Sequence, residues 1–186
     1  MRQNGDTFPA DYFRQGSPAN ATFAESCPRL FAGGDLAIAA TGVELAVGVP
    51  LQAGDVVTNI TFVTGGTAAG TPTAGYLVLR DSGGAKLAQT ADLGSTARAA
   101  NTAYTVALTA AYTVVAAGLF YVGVSFTAGT VPTLRGVSLS NGTVAGALGL
   151  SAKVLCQSHG AAVGAVAPAT IATPTTTFGV AYVVCT

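Results

Sequence analysis

The 186-residue chain predicts an all-β fold of antiparallel strands, a sandwich or a barrel. Three observations lead there. From Leu36 onward, short runs rich in Val, Ile, Thr, Tyr and Phe alternate with clusters of Gly, Pro, Asn and Asp. The turn signals recur every ~8–12 residues, the spacing of short strands joined by tight connections. No window carries the three-and-four spacing of apolar residues that an amphipathic helix requires.

Taken in order, residues 1–30 stand apart. They carry Arg2, Asp6, Asp11, Arg14, Glu25 and Arg29, the aromatics Phe8, Tyr12, Phe13 and Phe23, and the breakers Pro9, Gly16, Pro18 and Pro28. Aromatics without a regular period suit an extended N-terminal arm that docks them onto a surface, of its own domain or of a neighbour. Residues 31–186 form the β domain. "LAIAATGVELAVGVP" holds two runs around Gly42 and ends at Pro50. "LQAGDVVTNITFVTGG" turns at Ala53-Gly54-Asp55, then alternates Val56, Thr58, Ile60 and Phe62 against Val57, Asn59, Thr61 and Val63. Residues 76–80 and 86–90 make a hairpin through Asp81-Ser82-Gly83-Gly84, whose glycines accept positive φ.

A further strand covers residues 103–109. "YTVVAAGLFYVGVSF" gives two more, broken at Ala116-Ala117-Gly118, and "TLRGVSLS" follows Pro132. "AKVLCQ" (residues 152–157) and the closing "FGVAYVVCT" (178–186) each read as one strand. Between them, residues 158–177 are rich in Ala, Gly, Pro and Thr, with His159 the one titratable group. This is a long loop or a segment crossing to another subunit.

Residues 99–134 carry no charge, which raises the question of a membrane span. The stretch lacks the Lys and Arg flanks and the Leu and Ile richness of one. As strands it makes better sense. Phe120, Val122, Val124 and Phe126 share a core face, while Leu119, Tyr121, Gly123 and Ser125 share a mixed face. That mixed face calls for cover by a neighbouring subunit or by the arm.

Composition narrows the function. Only 9% of residues are charged and the formal net charge is zero, against roughly 25% charged in a typical soluble domain. A clustered basic face for nucleic acid is missing, and near-zero net charge favours association between copies. No apolar run opens the chain, so no signal peptide is expected. Cys27, Cys156 and Cys185, widely spaced, exclude the usual zinc patterns and read as buried free thiols, with a Cys156 to Cys185 disulfide as the alternative. No cofactor, metal or catalytic residue is predicted. His159 has no carboxylate nearby in sequence, no serine sits in G-x-S-x-G, and "GGTAAGT" (65–71) lacks the lysine of a phosphate loop. Asp35, Glu44, Asp55, Asp81 and Asp92 are isolated acids beside turn-like sequence, expected to cap backbone amides.

One resemblance adds to this. The stretch around Leu51-x-Ala-Gly54-Asp55, Leu87-Ala-Gln-Thr90, Ala100-Asn101-Thr102-Ala103, Tyr112-x-Val114, Gly118-x-x-Tyr121-Val122-Gly123 and Val131-Pro132-Thr133-Leu134 resembles virion proteins of tailed bacteriophages that infect actinobacteria. These are minor tail, head-decoration or fibre-like proteins, and the likeness spans residues 45–136. It implies a jelly-roll-like sandwich in a repeated shell or tail, without enzymatic activity. It also implies assembly in the host cytoplasm, partners among the major capsid or tail proteins, and a homo-oligomer such as a trimer. The residues expected to make those contacts are Phe8, Tyr12, Phe13, Phe23, Leu119 and Tyr121. The competing reading is a carbohydrate- or host-receptor-binding sandwich that presents Tyr76, Tyr104, Tyr112, Tyr121 and Tyr182 to a host-surface glycan.

Overall fold

Alternating β-branched and aromatic residues, cut by Gly- and Asp-containing turns, set the strands of a computed structural model. It describes residues 23–38, 40–94, 96–138, 156–159, 164–171, 174–177 and 179–186. In chain order these are β1 (Ala24–Glu25), a single 3₁₀ turn (Arg29–Phe31), β2 (Gly34–Ala37), β3 (Glu44–Leu51), β4 (Val56–Val63), β5 (Gly70–Arg80) and β6 (Lys86–Gln89). Then come β7 (Ala103–Thr113), β8 (Gly118–Thr130), β9 (Thr133–Ser138), β10 (Cys156–Ser158), β11 (Thr175–Thr176), β12 (Gly179–Ala181) and β13 (Val183–Cys185). Among the described residues there is no α-helix, and no helix long and apolar enough to cross a membrane.

The fold is an antiparallel β-sandwich. One layer is the six-stranded sheet β11-β10-β3-β8-β5-β6. The other is the four-stranded sheet β1-β13-β4-β7, extended at one end by the three-stranded sheet β12-β9-β2. Between them lie Leu45, Val47, Val49 and Leu51 of β3, Leu77 and Leu79 of β5, and Phe120, Val122, Val124 and Phe126 of β8, against Ile60, Phe62, Leu134, Val183 and Cys185. Phe62 stacks on Tyr104 at 5.5 Å and tilts against Phe126 at 5.6 Å. Phe120, Val122, Val124 and Phe126 therefore form the core face that their alternation predicts.

The structure departs from sequence expectation at both ends of the domain. The closing run is two strands, because β12 pairs with β9 and β13 pairs with β1 and β4. Tyr182 is the corner: its amide donates to the Arg135 carbonyl at 2.8 Å, and the chain passes from one sheet to the next there, as sandwich corners do. At the front, Ala24 and Glu25 pair with Cys185 and Val184, and the Ser26 hydroxyl donates to the Ala181 carbonyl at 2.7 Å. Residues 23–30, assigned above to the arm, are thus built into the sandwich. Phe23 packs against the core and under the Arg29 guanidinium. Phe8, Tyr12 and Phe13 lie outside the described residues.

Candidate functional site

The register of β3, β8 and β5 sets the outward face of the six-stranded sheet. Glu44, Ser125 and Tyr76 form one cross-strand row, Ala46, Gly123 and Val78 the next, and Gly48, Tyr121 and Arg80 the third. Gly123 sits at the centre of this array. A Cβ there would lie 2.3 Å from Glu44 Oε1 and 2.6 Å from Val78 Cγ1, so only glycine leaves room for Glu44 to reach across β8. Through that gap Arg80 donates to both carboxylate oxygens of Glu44 at 2.7 Å, and the Tyr76 hydroxyl donates to Oε2 at 2.7 Å. Glu44 and Arg80 are completely buried. The expectation that Glu44 caps a turn is therefore wrong: it is half of a buried bidentate ion pair. Asp35, Asp55, Asp81 and Asp92 do accept from backbone amides, of Gly66, Gln52, Gly83 and Gly75 respectively.

What covers this face is the chain itself. Residues 164–171, from the stretch read as a long loop, lie along β6 as a strap. Arg80 donates to the Pro168 carbonyl at 3.0 Å, the Lys86 amide to Ala169 at 2.8 Å, and the Ile171 amide to Gly84 at 3.1 Å. Ala167 packs with Tyr76 and Val78, while Ile171 packs with Ala46, Tyr121 and the half-buried Leu119. Cover by a neighbour or by the arm was expected over Leu119 and Tyr121, and the strap supplies it instead. A neutral, small-residue segment can lie flat over apolar strands while its carbonyls receive the buried guanidinium. Ser158 and Thr175 at the ends of the same stretch pair with each other in β10 and β11.

A second cluster of the same chemistry sits at the β1 edge. Glu25 accepts from the Tyr182 hydroxyl at 2.8 Å and from Arg29 at 2.6 Å and 2.9 Å. Burial, then the adjacent carboxylate, raises the Tyr76 and Tyr182 hydroxyls above the usual phenol range. Burial also pushes the Cys185 thiol up to about 12 and raises Cys27. Both are free thiols, so Cys185 forms no disulfide with Cys156.

Every charged side chain among the described residues is held by the chain itself. Arg135 binds Asn101 and the Gly33 carbonyl. Lys86 binds Gln89 and the Ala167 carbonyl, and Arg98 binds the Thr96 and Leu93 carbonyls and lies over Tyr104. The glycine-rich stretch after β4 is likewise filled internally, since both Asp35 oxygens accept from the Gly66 amide at 2.8 and 2.9 Å. The five tyrosines proposed for a glycan platform are buried or half-buried.

The candidate site that remains is an adhesive surface. Leu30 and Phe31, on the 3₁₀ turn beside β1, are 88% and 60% exposed. On the far side, a groove of about 250 Å³ opens between β6 and β7, lined by Leu87, Ala88, Thr109, Ala110 and Ala111. A cavity of about 240 Å³ lies where β2 and β12 meet β3, with Asp35, Val43, Leu45 and Ser158 in its wall. No described cluster of His, Cys, Asp or Glu could hold a metal ion. Sequence alone flags neither Leu30 and Phe31 nor the groove, because an exposed pair of apolar residues looks the same in the chain as a buried one. Comparison with protein families, curated proteins and solved structures finds no match.

Proposed function

We propose that the protein is a non-enzymatic structural component of a tailed-bacteriophage virion, a capsid-decoration or minor tail protein. It attaches to the major capsid or tail protein through its N-terminal segment and associates with copies of itself. One observation carries this reading: every charged side chain of the described residues is bonded within the chain, with Glu44 and Arg80 fully buried, while Leu30 and Phe31 stand exposed beside β1. Burying Leu30 and Phe31 against protein removes apolar surface from water, while the neighbouring Arg29 is already paired with Glu25. Phe23, the first described residue, lies under Arg29 next to Leu30 and Phe31, which supports an adhesive patch near the start of the domain. The resemblance of residues 45–136 to phage virion proteins points the same way.

The test is incorporation into particles. Full-length chain is expected to co-purify with intact virions at a fixed copy number, and a chain lacking residues 1–22 to remain in the soluble fraction. Equal incorporation of the shortened chain refutes the anchor, and absence of the full-length chain from purified particles refutes the virion role.

A further inference from the structure

The strap of residues 164–171 is a light cover over a well-anchored sheet. Of its side chains only Ala167 and Ile171 are buried, while Val166 is 63% exposed. The rest of its hold is polar. Besides the bonds already described to Arg80, Lys86 and Gly84, the Lys86 ammonium donates to the Ala167 carbonyl at 3.1 Å and the Ala167 amide donates to Gln89 Oε1 at 3.3 Å. Among the described residues, every polar partner of the strap lies on β5, on β6 or in the turn between them, at one edge of the six-stranded sheet.

The sheet beneath does not depend on the strap for its own packing. Its opposite face enters the sandwich core through Leu77, Leu79, Val122 and Val124, in a cluster that includes no strap residue. The contacts under the strap form two small clusters of their own, Tyr76 and Val78 with Ala167, and Ala46 and Tyr121 with Ile171. The ion pair is likewise closed within the sheet. Glu44 accepts from Tyr76 and twice from Arg80, and Arg80 also donates to the Gly84 carbonyl. Lifting the strap withdraws one acceptor, the Pro168 carbonyl, from Arg80. It also lets water reach two ions whose desolvation is costly. Segments with few buried apolar contacts and exposed backbone bonds open at lower free energy than core strands do.

We infer that residues 164–171 are a lid that opens as a unit while both layers of the sandwich stay folded. Closed, the lid removes Tyr76, Tyr121 and the Glu44–Arg80 pair from the surface; open, it returns them to it. Opening changes this side of the domain from small neutral residues to an aromatic face crossed by one ion pair. None of this depends on the virion reading, because the lid belongs to the single chain.

The experiment is amide hydrogen exchange on the full chain, with Val122 and Val124 of the interior strand β8 as the internal standard. The Lys86, Ala167 and Ile171 amides are each bonded across the lid contact. They are expected to share one protection factor, about 100-fold or more below that of β8. Their exchange should also be nearly independent of low urea, since lid opening exposes little surface, whereas exchange in β8 tracks global unfolding. A second arm closes the lid covalently. Ala85 and Thr170 form an antiparallel bridge flanked by the Lys86–Ala169 and Ile171–Gly84 bonds. This is the non-hydrogen-bonded type of pair, with Cα atoms about 4.5 Å apart and within disulfide reach. In Ala85→Cys with Thr170→Cys, oxidation should bring the three amides toward the protection of β8, and reduction should release them. Should the disulfide fail to form, exchange in the parent decides alone. Equal protection and equal urea dependence in lid and β8 overturn the inference. So do unlike protection factors among the three lid amides, or a formed disulfide that leaves their exchange unchanged.

Discussion

Two glutamates in this chain take the same partners in opposite surroundings. Glu44 is held by Tyr76 and Arg80, and Glu25 by Tyr182 and Arg29. Each carboxylate is buried, and each accepts one phenol hydroxyl and one guanidinium. The arginines differ: Arg80 is completely buried under the strap, while the Arg29 side chain is 63% exposed. The Coulomb attraction of a given pair is about four-fold weaker in water than at the effective dielectric of a protein interior. An exposed partner can also be replaced by solvent. Identical chemistry is therefore a lock on the six-stranded sheet and little more than a cover at the β1 edge.

The sharpest way to break that contrast is Arg80→Met. It leaves the Glu44 carboxylate sealed beneath residues 164–171 with only Tyr76 to satisfy it, and removes the donor to Pro168. Losing one member of a buried pair costs about 3–5 kcal/mol. A fall of that size in urea-denaturation stability is expected. Adding Glu44→Leu to Arg80→Met should recover most of it, since an apolar replacement of both partners leaves no ion unpaired. Failure of the double variant to recover would mean that the strap, rather than the ion pair, supplies the stability.

Much of the sandwich was legible because alternation reports directly which face of a strand is buried. β4 falls at Val56–Val63. The register shift between Val57 and Asn59 puts Val57 in the core and Val56 and Thr58 outside it, so the predicted face holds only from Ile60 onward. The break at Ala116-Ala117-Gly118 separates β7 from β8. The buried ion pair was not legible. Glu44 and Arg80 lie on strands that are not neighbours, and they meet only because Gly123 of the strand between them has no side chain. Two traces of it existed in the sequence: a glycine inside an aromatic strand, and single charges inside the apolar runs "VELAV" and "YLVLR". The strap was hidden for another reason. Its composition is that of a loop, and Ala167 and Ile171 are too sparse to signal burial by period. The two-sheet course of the last strand was hidden because Tyr182 interrupts pairing without interrupting the apolar pattern.

Alkaline pH probes both sites through their tyrosines. Folding raises Tyr76 and Tyr182 above the ordinary value of 10.0, chiefly by burial. Above pH 10 the unfolded chain loses protons that the folded chain keeps. The stability these groups contribute is whole below that pH and declines as pH rises through the folded-state values, by about 1.4 kcal/mol per pH unit for each tyrosine. Cys185 contributes a similar slope between 9.0 and about 12. Stability measured by urea titration should thus be flat near neutrality and fall steeply above pH 10. Tyr76→Phe or Tyr182→Phe should each remove one tyrosine's share of the slope. An unchanged slope in either variant would show that its hydroxyl ionises as freely in the folded protein as in the unfolded one.

The smallest effect belongs to Arg29→Met, and its smallness is the informative part. Arg29 contacts Glu25 four residues away and lies 5.4 Å from the centre of the Phe23 ring. An exposed ion pair contributes up to about 1 kcal/mol, and an exposed cation–π contact about 0.5–1 kcal/mol. Methionine keeps an apolar stem over Phe23, and Tyr182 still donates to Glu25. The expected loss is below about 1 kcal/mol. Salt separates the two arginines further: at about 1 M ionic strength the Debye length is near 3 Å, so screening should erase most of the Arg29 contribution. The Arg80 pair, with no water around it, should keep its contribution. A loss at Arg29 as large and as salt-independent as that at Arg80 would mean that the β1 edge is sealed from solvent in solution.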